Sequence, residues 1–141
     1  MSDCLPCDLE AAESAAIIYR DANWSCEIAD GYDVPGWFML RLRRHAEGWA
    51  GPTAEEIADF GAISQRLATA IEAATGATNV YFMSFGENYP HFHFLVIARD
   101  ADLPPESRGA AVLGLRAEGR DLEAALDVGG RVRDALAGAS L

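Results

Sequence analysis

The sequence predicts an α+β fold: one antiparallel sheet of about five strands, a long helix packed on it, and a helical C-terminal extension. Three observations predict it. Residues 37–45 (WFMLRLRRH) alternate in character with the period of a strand. Residues 53–76 hold a capping box, apolar residues at helical spacing and a closing glycine. Residues 79–86 and 91–99 are two β-rich runs joined by a short loop containing Pro90, the pattern of a hairpin.

Taken in order, residues 15–30 read as two short β-rich runs around a turn at Asp21-Ala22-Asn23, and GYDVPG (31–36) is a loop punctuated by Gly and Pro. In the strand over 37–43, Met39, Arg41 and Arg43 share one face while Phe38, Leu40 and Leu42 share the other. A helix over 54–75 follows. Thr53 caps the third helical N–H, Glu56 reaches back, and Ile57, Phe60, Ile63, Leu67 and Ile71 form its buried stripe before Gly76 ends it. Strands over 79–85 and 91–98 are joined by loop residues 87–90. In the second of these, Phe92, Phe94 and Val96 face the helix, whereas His91, His93 and Leu95 face a groove. Residues 1–102 form the main body. Residues 103–141 extend the same domain, with an amphipathic helix over 121–138 that Gly129-Gly130 weakens.

A chain of 141 residues fits one domain with a real core. Its net charge of −11 argues against nucleic acid as partner, because Lys and Arg dominate binding to the phosphate backbone. A small anionic ligand stays compatible, since Arg41, Arg43 and Arg44 cluster and Arg99 adds a fourth cation. No stretch approaches the roughly 20 apolar residues of a membrane span. The acidic start, MSDCLPCDLEAAES, lacks the basic and apolar segments of a secretory signal, so a cytoplasmic location is expected.

Cys4 and Cys7 form one C-x-x-C, and Cys26 stands alone as a small buried hydrophobe. The pair is compatible with half a zinc site, a redox couple or two unrelated thiols. A redox couple normally ends a strand entering a helix, whereas this one opens the chain. His91 and His93, two apart on a strand, are spaced to orient one imidazole as nucleophile or to bind a metal. Trp24 and Trp37 are expected in the core or in a pocket wall.

GENYPHFHFLVIAR (86–99) resembles the signature of the histidine triad superfamily, in which three histidines alternate with apolar residues and an Arg follows closely. The N-terminal C-x-x-C, the run PGWFMLRLRRH (35–45) and the long helix stand in the same order as in that family. The resemblance implies an α+β fold, usually homodimeric, that binds a small nucleotide and hydrolyses or transfers nucleoside monophosphate groups. It makes His93 the nucleophile, with His91 as the first triad histidine beside it. Asn88, Arg41, Arg43 and Arg99 are then candidates to bind phosphate. Leu95 stands where the third histidine assists the leaving group, so substrates with good anionic leaving groups are expected. A degenerate nucleotide-binding or scaffold protein is the alternative. Zinc-bearing members of the family imply a structural zinc on Cys4, Cys7, His45 and His91, a tetrahedral Cys₂His₂ set.

Overall fold

The computed structural model describes residues 3–138. Five strands form one antiparallel sheet in the order β1-β2-β3-β5-β4. They are β1 Ile17–Arg20, β2 Trp24–Glu27, β3 Trp37–Leu42, β4 Asn79–Met83 and β5 His93–Arg99. Central β3 is buried along its whole length because both faces of the sheet are covered. Its register against β5 pairs Phe38 with Val96 and Leu40 with Phe94 on one face, and Trp37 with Ile97, Met39 with Leu95 and Arg41 with His93 on the other, so that second face is apolar at one end and polar at the other.

The expected long helix is present as α2 Ala54–Ala58 and α3 Phe60–Thr75, interrupted at Asp59. Thr53 N–H donates to Glu56 Oε1 at 2.8 Å, and Glu56 N–H donates to Thr53 Oγ1 at 3.1 Å, closing the capping box. Gly76 ends α3 with φ +71°, a left-handed conformation that glycine adopts without strain. Ile63, Leu67 and Ile71 of α3 pack on Phe38, Leu40, Phe94 and Val96.

The C-terminal third joins the same core. α4 spans Arg116–Gly119 and α5 spans Leu122–Gly138; α5 puts Ala125, Val132 and Leu136 into the cluster beneath α3. Gly129 does not break α5. A Cβ there would lie 2.8 Å from Ile28 Cδ1 and 2.9 Å from Ile18 Cδ1, so the missing side chain lets the helix approach the sheet.

Two boundaries differ from expectation. β4 ends at Met83 and β5 begins at His93, so the connection covers residues 84–92 rather than 87–90. His91 makes only an isolated bridge to Glu47, and Phe92 N–H donates to the Ala46 carbonyl at 2.8 Å. On the β3 side the ladder continues past β5: the Phe92 carbonyl accepts from the Leu42 N–H at 3.1 Å and the Pro90 carbonyl from the Gly48 N–H at 3.2 Å. No helix among the described residues is long and apolar enough to cross a membrane.

Candidate functional site

The N-terminal segment is folded back on the sheet by α1, Leu5–Asp8. Cys4 caps this single turn, accepting the Cys7 N–H on its sulfur at 3.4 Å. The turn places both thiols against two imidazoles. Cys4 Sγ lies 3.6 Å from His45 Nδ1 and 3.4 Å from His91 Nδ1; Cys7 Sγ lies 3.3 Å from each. A tetrahedral zinc with ordinary Zn–S and Zn–N bonds requires S···N edges of ~3.5 Å. The four ligand atoms all fall within 4.8 Å of one another.

Both rings are in the right tautomer for coordination. His91 Nε2–H donates to the Leu42 carbonyl at 2.6 Å, and His45 Nε2–H donates to Glu47 Oε2 at 3.1 Å. Each bond leaves Nδ1 with its lone pair toward the thiols, the outer-shell support that metal-binding histidines use. Burial and the adjacent Cys4 thiol push the Cys7 thiol up to about 11. A coordinated cation deprotonates such thiols outright. The set fits a closed divalent metal site.

His93 points elsewhere. It lines a groove of about 290 Å³ with Asn88, Leu95, Tyr32, Tyr89 and Arg116. His93 Nδ1–H donates to the His91 carbonyl at 2.5 Å, leaving Nε2 as the free nitrogen. Burial lowers the pKa of this ring, outweighing the carbonyl that raises it. Burial lowers that of His91 as well. The two imidazoles therefore serve different places: His91 faces the cysteines, and only its carbonyl reaches His93. Beside the groove a broader hollow of about 640 Å³ is rimmed by Asp3, Asp8, Glu13, Asp30 and Asp33, charges that repel phosphate.

Asn88 sits with His93, but the three arginines expected to bind phosphate do not. Arg41, whose side chain is fully buried, gives Nε and Nη2 to Glu27 at 2.9 and 2.7 Å, and Nη2 also to Glu10 at 2.7 Å. Arg43 makes a two-pronged pair with Glu10 at 3.1 and 2.8 Å. Arg99, six residues along β5 from His93, donates to Thr78 Oγ1 at 3.2 Å and lies beside a separate cleft near Val34. The reason is Glu10. It arrives on the folded-back N-terminal segment and, with Glu27, consumes the charge that the LRLRR run displays in one dimension.

Sequence reasoning missed Glu10, Glu27 and Arg116. Glu27 sits in β2 on the same face as Ser25, alternating with Trp24 and Cys26, and that alternation was a usable signal for a polar sheet face. Arg116 carried none, since no periodicity connects residue 116 to residue 93.

No protein-family model matches the chain, and no curated protein matches it. Solved structures do. A hypothetical histidine triad nucleotide-binding protein from Sulfolobus tokodaii has TM-score 0.73 and 16% identity, covering 96% of this chain and 93% of that one. A zinc-bound histidine triad family protein from Mycobacterium smegmatis has TM-score 0.67 and 21% identity over 96% of this chain and 94% of that one. The diadenosine triphosphate hydrolase of Plasmodium falciparum, solved with cyclomarin A, has TM-score 0.66 and 11% identity over 90% and 80%.

Proposed function

On a histidine triad fold, we propose that the groove binds a small nucleotide and that His93 transfers its nucleoside monophosphate group, as a hydrolase or nucleotidyltransferase. The observation that supports this reading most is the 2.5 Å bond from His93 Nδ1–H to the His91 carbonyl, which aims an unprotonated Nε2 outward. Nε2 attacks phosphorus, an N–P bond forms, and the P–O bond to the leaving group breaks with its electron pair on the departing oxygen. Water or an acceptor hydroxyl then cleaves the N–P bond and returns the lone pair to the imidazole. The Asn88 amide donates to a phosphate oxygen, and Tyr32 and Tyr89 provide flat walls for a base.

Cys4, Cys7, His45 and His91 would hold zinc, which supplies a structural cross-link and no step of the reaction. Both nitrogens of His91 are then fixed, one by the metal and one by the Leu42 carbonyl. That fixes the carbonyl on which His93 depends.

One observation favours a second reading, a nucleotide-binding protein without catalysis. Leu95 is buried against Trp37 and Val112, and no proton donor stands at that position. Losing such a donor typically costs ~10²–10⁴ in rate. The test is a phosphoanhydride such as diadenosine triphosphate given to wild type and to His93→Ala. Both proteins should be stabilised by the nucleotide, while turnover and a mass adduct on His93 should appear in wild type alone. Stabilisation without turnover selects the binding module. No stabilisation by any nucleotide rejects both readings.

A further inference from the structure

The chain contains eleven arginines and no lysine, so every fixed positive side chain can be traced. Arg20, Arg41, Arg43, Arg44, Arg120 and Arg131 are in ion pairs with carboxylates. Arg66 lies over the Tyr19 ring, Arg99 donates to Thr78 Oγ1, Arg108 donates to the Leu103 carbonyl, and Arg133 donates to the Ile17 and Ala15 carbonyls. Among the described residues lining the His93 groove, Arg116 is the one arginine. It has no carboxylate partner among the described residues. Its Nη1 donates to the Gly31 carbonyl at 3.0 Å and its guanidinium stacks over Tyr32 at 4.6 Å, which leaves Nε and Nη2 without a hydrogen bond among the described residues.

The segment that carries Arg116 is anchored on both sides. Before it, Val112 is buried against Trp37, Leu95 and Ile97, and Gly109 N–H donates to the Tyr81 hydroxyl at 2.9 Å. After it, Arg120 pairs with Asp33 at 2.8 Å, and Asp121 N–H donates to the Asp33 carbonyl at 2.9 Å. Leucine at position 95 gains a physical reason here. Residues 109–115 cover this end of the polar face, and an apolar side chain at 95 is what Val112 packs against. The same segment that makes position 95 apolar delivers a guanidinium to the groove.

We propose that Arg116 forms a second anion subsite in the groove, one that binds a phosphate adjoining the phosphorus His93 attacks. The inference rests on the nucleotide reading above and deepens it. A guanidinium presents paired donors to phosphate oxygens and never deprotonates, so it stabilises a departing phosphate by fixed charge rather than by giving a proton. The favoured substrate class is a nucleoside phosphoanhydride, not a phosphoramidate, whose amine leaving group needs that proton.

Calorimetric titration of the full chain tests it, using adenosine, AMP and α,β-methylene-ADP (whose bridge resists cleavage) on wild type, Arg116→Gln and Arg116→Lys. In wild type the diphosphate should bind about tenfold or more tighter than AMP, the scale of a charge-assisted bond. Arg116→Gln should erase that preference while leaving adenosine affinity unchanged, and Arg116→Lys should restore part of it. Added salt should shrink the wild-type preference, since the guanidinium is exposed. Equal preference in wild type and Arg116→Gln overturns the subsite and leaves the nucleotide reading intact. So does a parallel loss of adenosine and diphosphate affinity, which makes Arg116 a strut for Tyr32. Binding of none of the three by wild type overturns the subsite and the nucleotide reading together.

Discussion

The two faces of the sheet are held by different forces. Beneath α3 and α5 lies a continuous apolar core in which Trp24, Phe38, Leu40, Phe92 and Val96 are all but inaccessible to water. The opposite face is divided. Leu9, Ala29 and Met39 form one small apolar patch and Trp37, Leu95, Ile97 and Val112 another. Near them Glu27 accepts from Arg20, Ser25 and Arg41 at 2.5, 2.6 and 2.7 Å, and the Cys₂His₂ cluster and the groove lie on the same side. The first face is stabilised by contact area, which is non-directional and tolerant. The second depends on directed cross-links whose partners come from distant parts of the chain. Precise placement of His93 comes from the second kind, because a hydrogen bond fixes an angle and a methyl contact does not.

Removing the metal ligands should separate the faces most sharply. Purified wild type should contain about one zinc per chain, and Cys4→Ser or Cys7→Ser should lose it, since structural zinc sites need all four ligands. The N-terminal segment should become accessible to protease, thermal stability should fall by the largest margin of any single change, and His93 turnover should go with it. The helical core should keep its circular dichroism. Retention of stoichiometric zinc in either variant would place the metal elsewhere. The complementary change is Phe38→Ala, expected to cost ~3–5 kcal/mol through loss of packing and the cavity left behind. Zinc content should stay at wild-type level. If Phe38→Ala sheds zinc while still folded, the two faces are one cooperative unit and the contrast fails.

Leu95→His probes the boundary between the two kinds of face. An imidazole there meets Trp37, Ile97 and Val112, so it should destabilise by ~1–3 kcal/mol as a buried polar group without an assured partner. Urea unfolding measures this directly. A variant as stable as wild type would mean that residues 109–115 yield and admit the ring to the groove.

The sequence made one face far more legible than the other. The stripe Ile63, Leu67 and Ile71 and the alternation of Phe38, Leu40 and Leu42 are periodic, and periodicity survives in one dimension. So do Thr53 and Glu56, whose capping bonds span three residues. The Cys4, Cys7, His45 and His91 cluster was recoverable from its chemistry and from the family resemblance. Arg41 and Arg43 were misplaced because their fate depends on Glu10, more than thirty positions away and without any pattern. Arg116 was missed for the same reason. His91 lies on the same side of the sheet as His93, as alternation predicts, but its ring turns to the two cysteines and not into the groove. Phe92, Phe94 and Val96 all pack in the core, as the alternation predicts.

The smallest expected effect lies at the start of α2, away from the polar face, and tests whether the helical side is independent of it. Glu56 accepts from Arg44 at 2.8 and 3.1 Å and from the Thr53 N–H, and these bonds, Arg44 first, hold its carboxyl down at about 2. Its ordinary value in an unfolded chain is near 4.5. A carboxyl whose folded pKa is depressed adds stability that is fully present above the unfolded value and is lost as pH falls toward the folded one. Glu56→Gln should therefore lower stability at pH 7, and its difference from wild type should shrink between pH 4.5 and 2. Thr53→Ala removes the other half of the box and should cost ~1 kcal/mol with much weaker dependence on pH, since a hydroxyl does not titrate. Urea unfolding of the three proteins at pH 7, 4.5 and 3 measures both. Zinc content should match wild type in each variant at pH 7. A Glu56→Gln deficit that stays constant from pH 7 to 3 would show that the carboxylate's charge contributes nothing, and that only its shape and its bond to the Thr53 N–H matter.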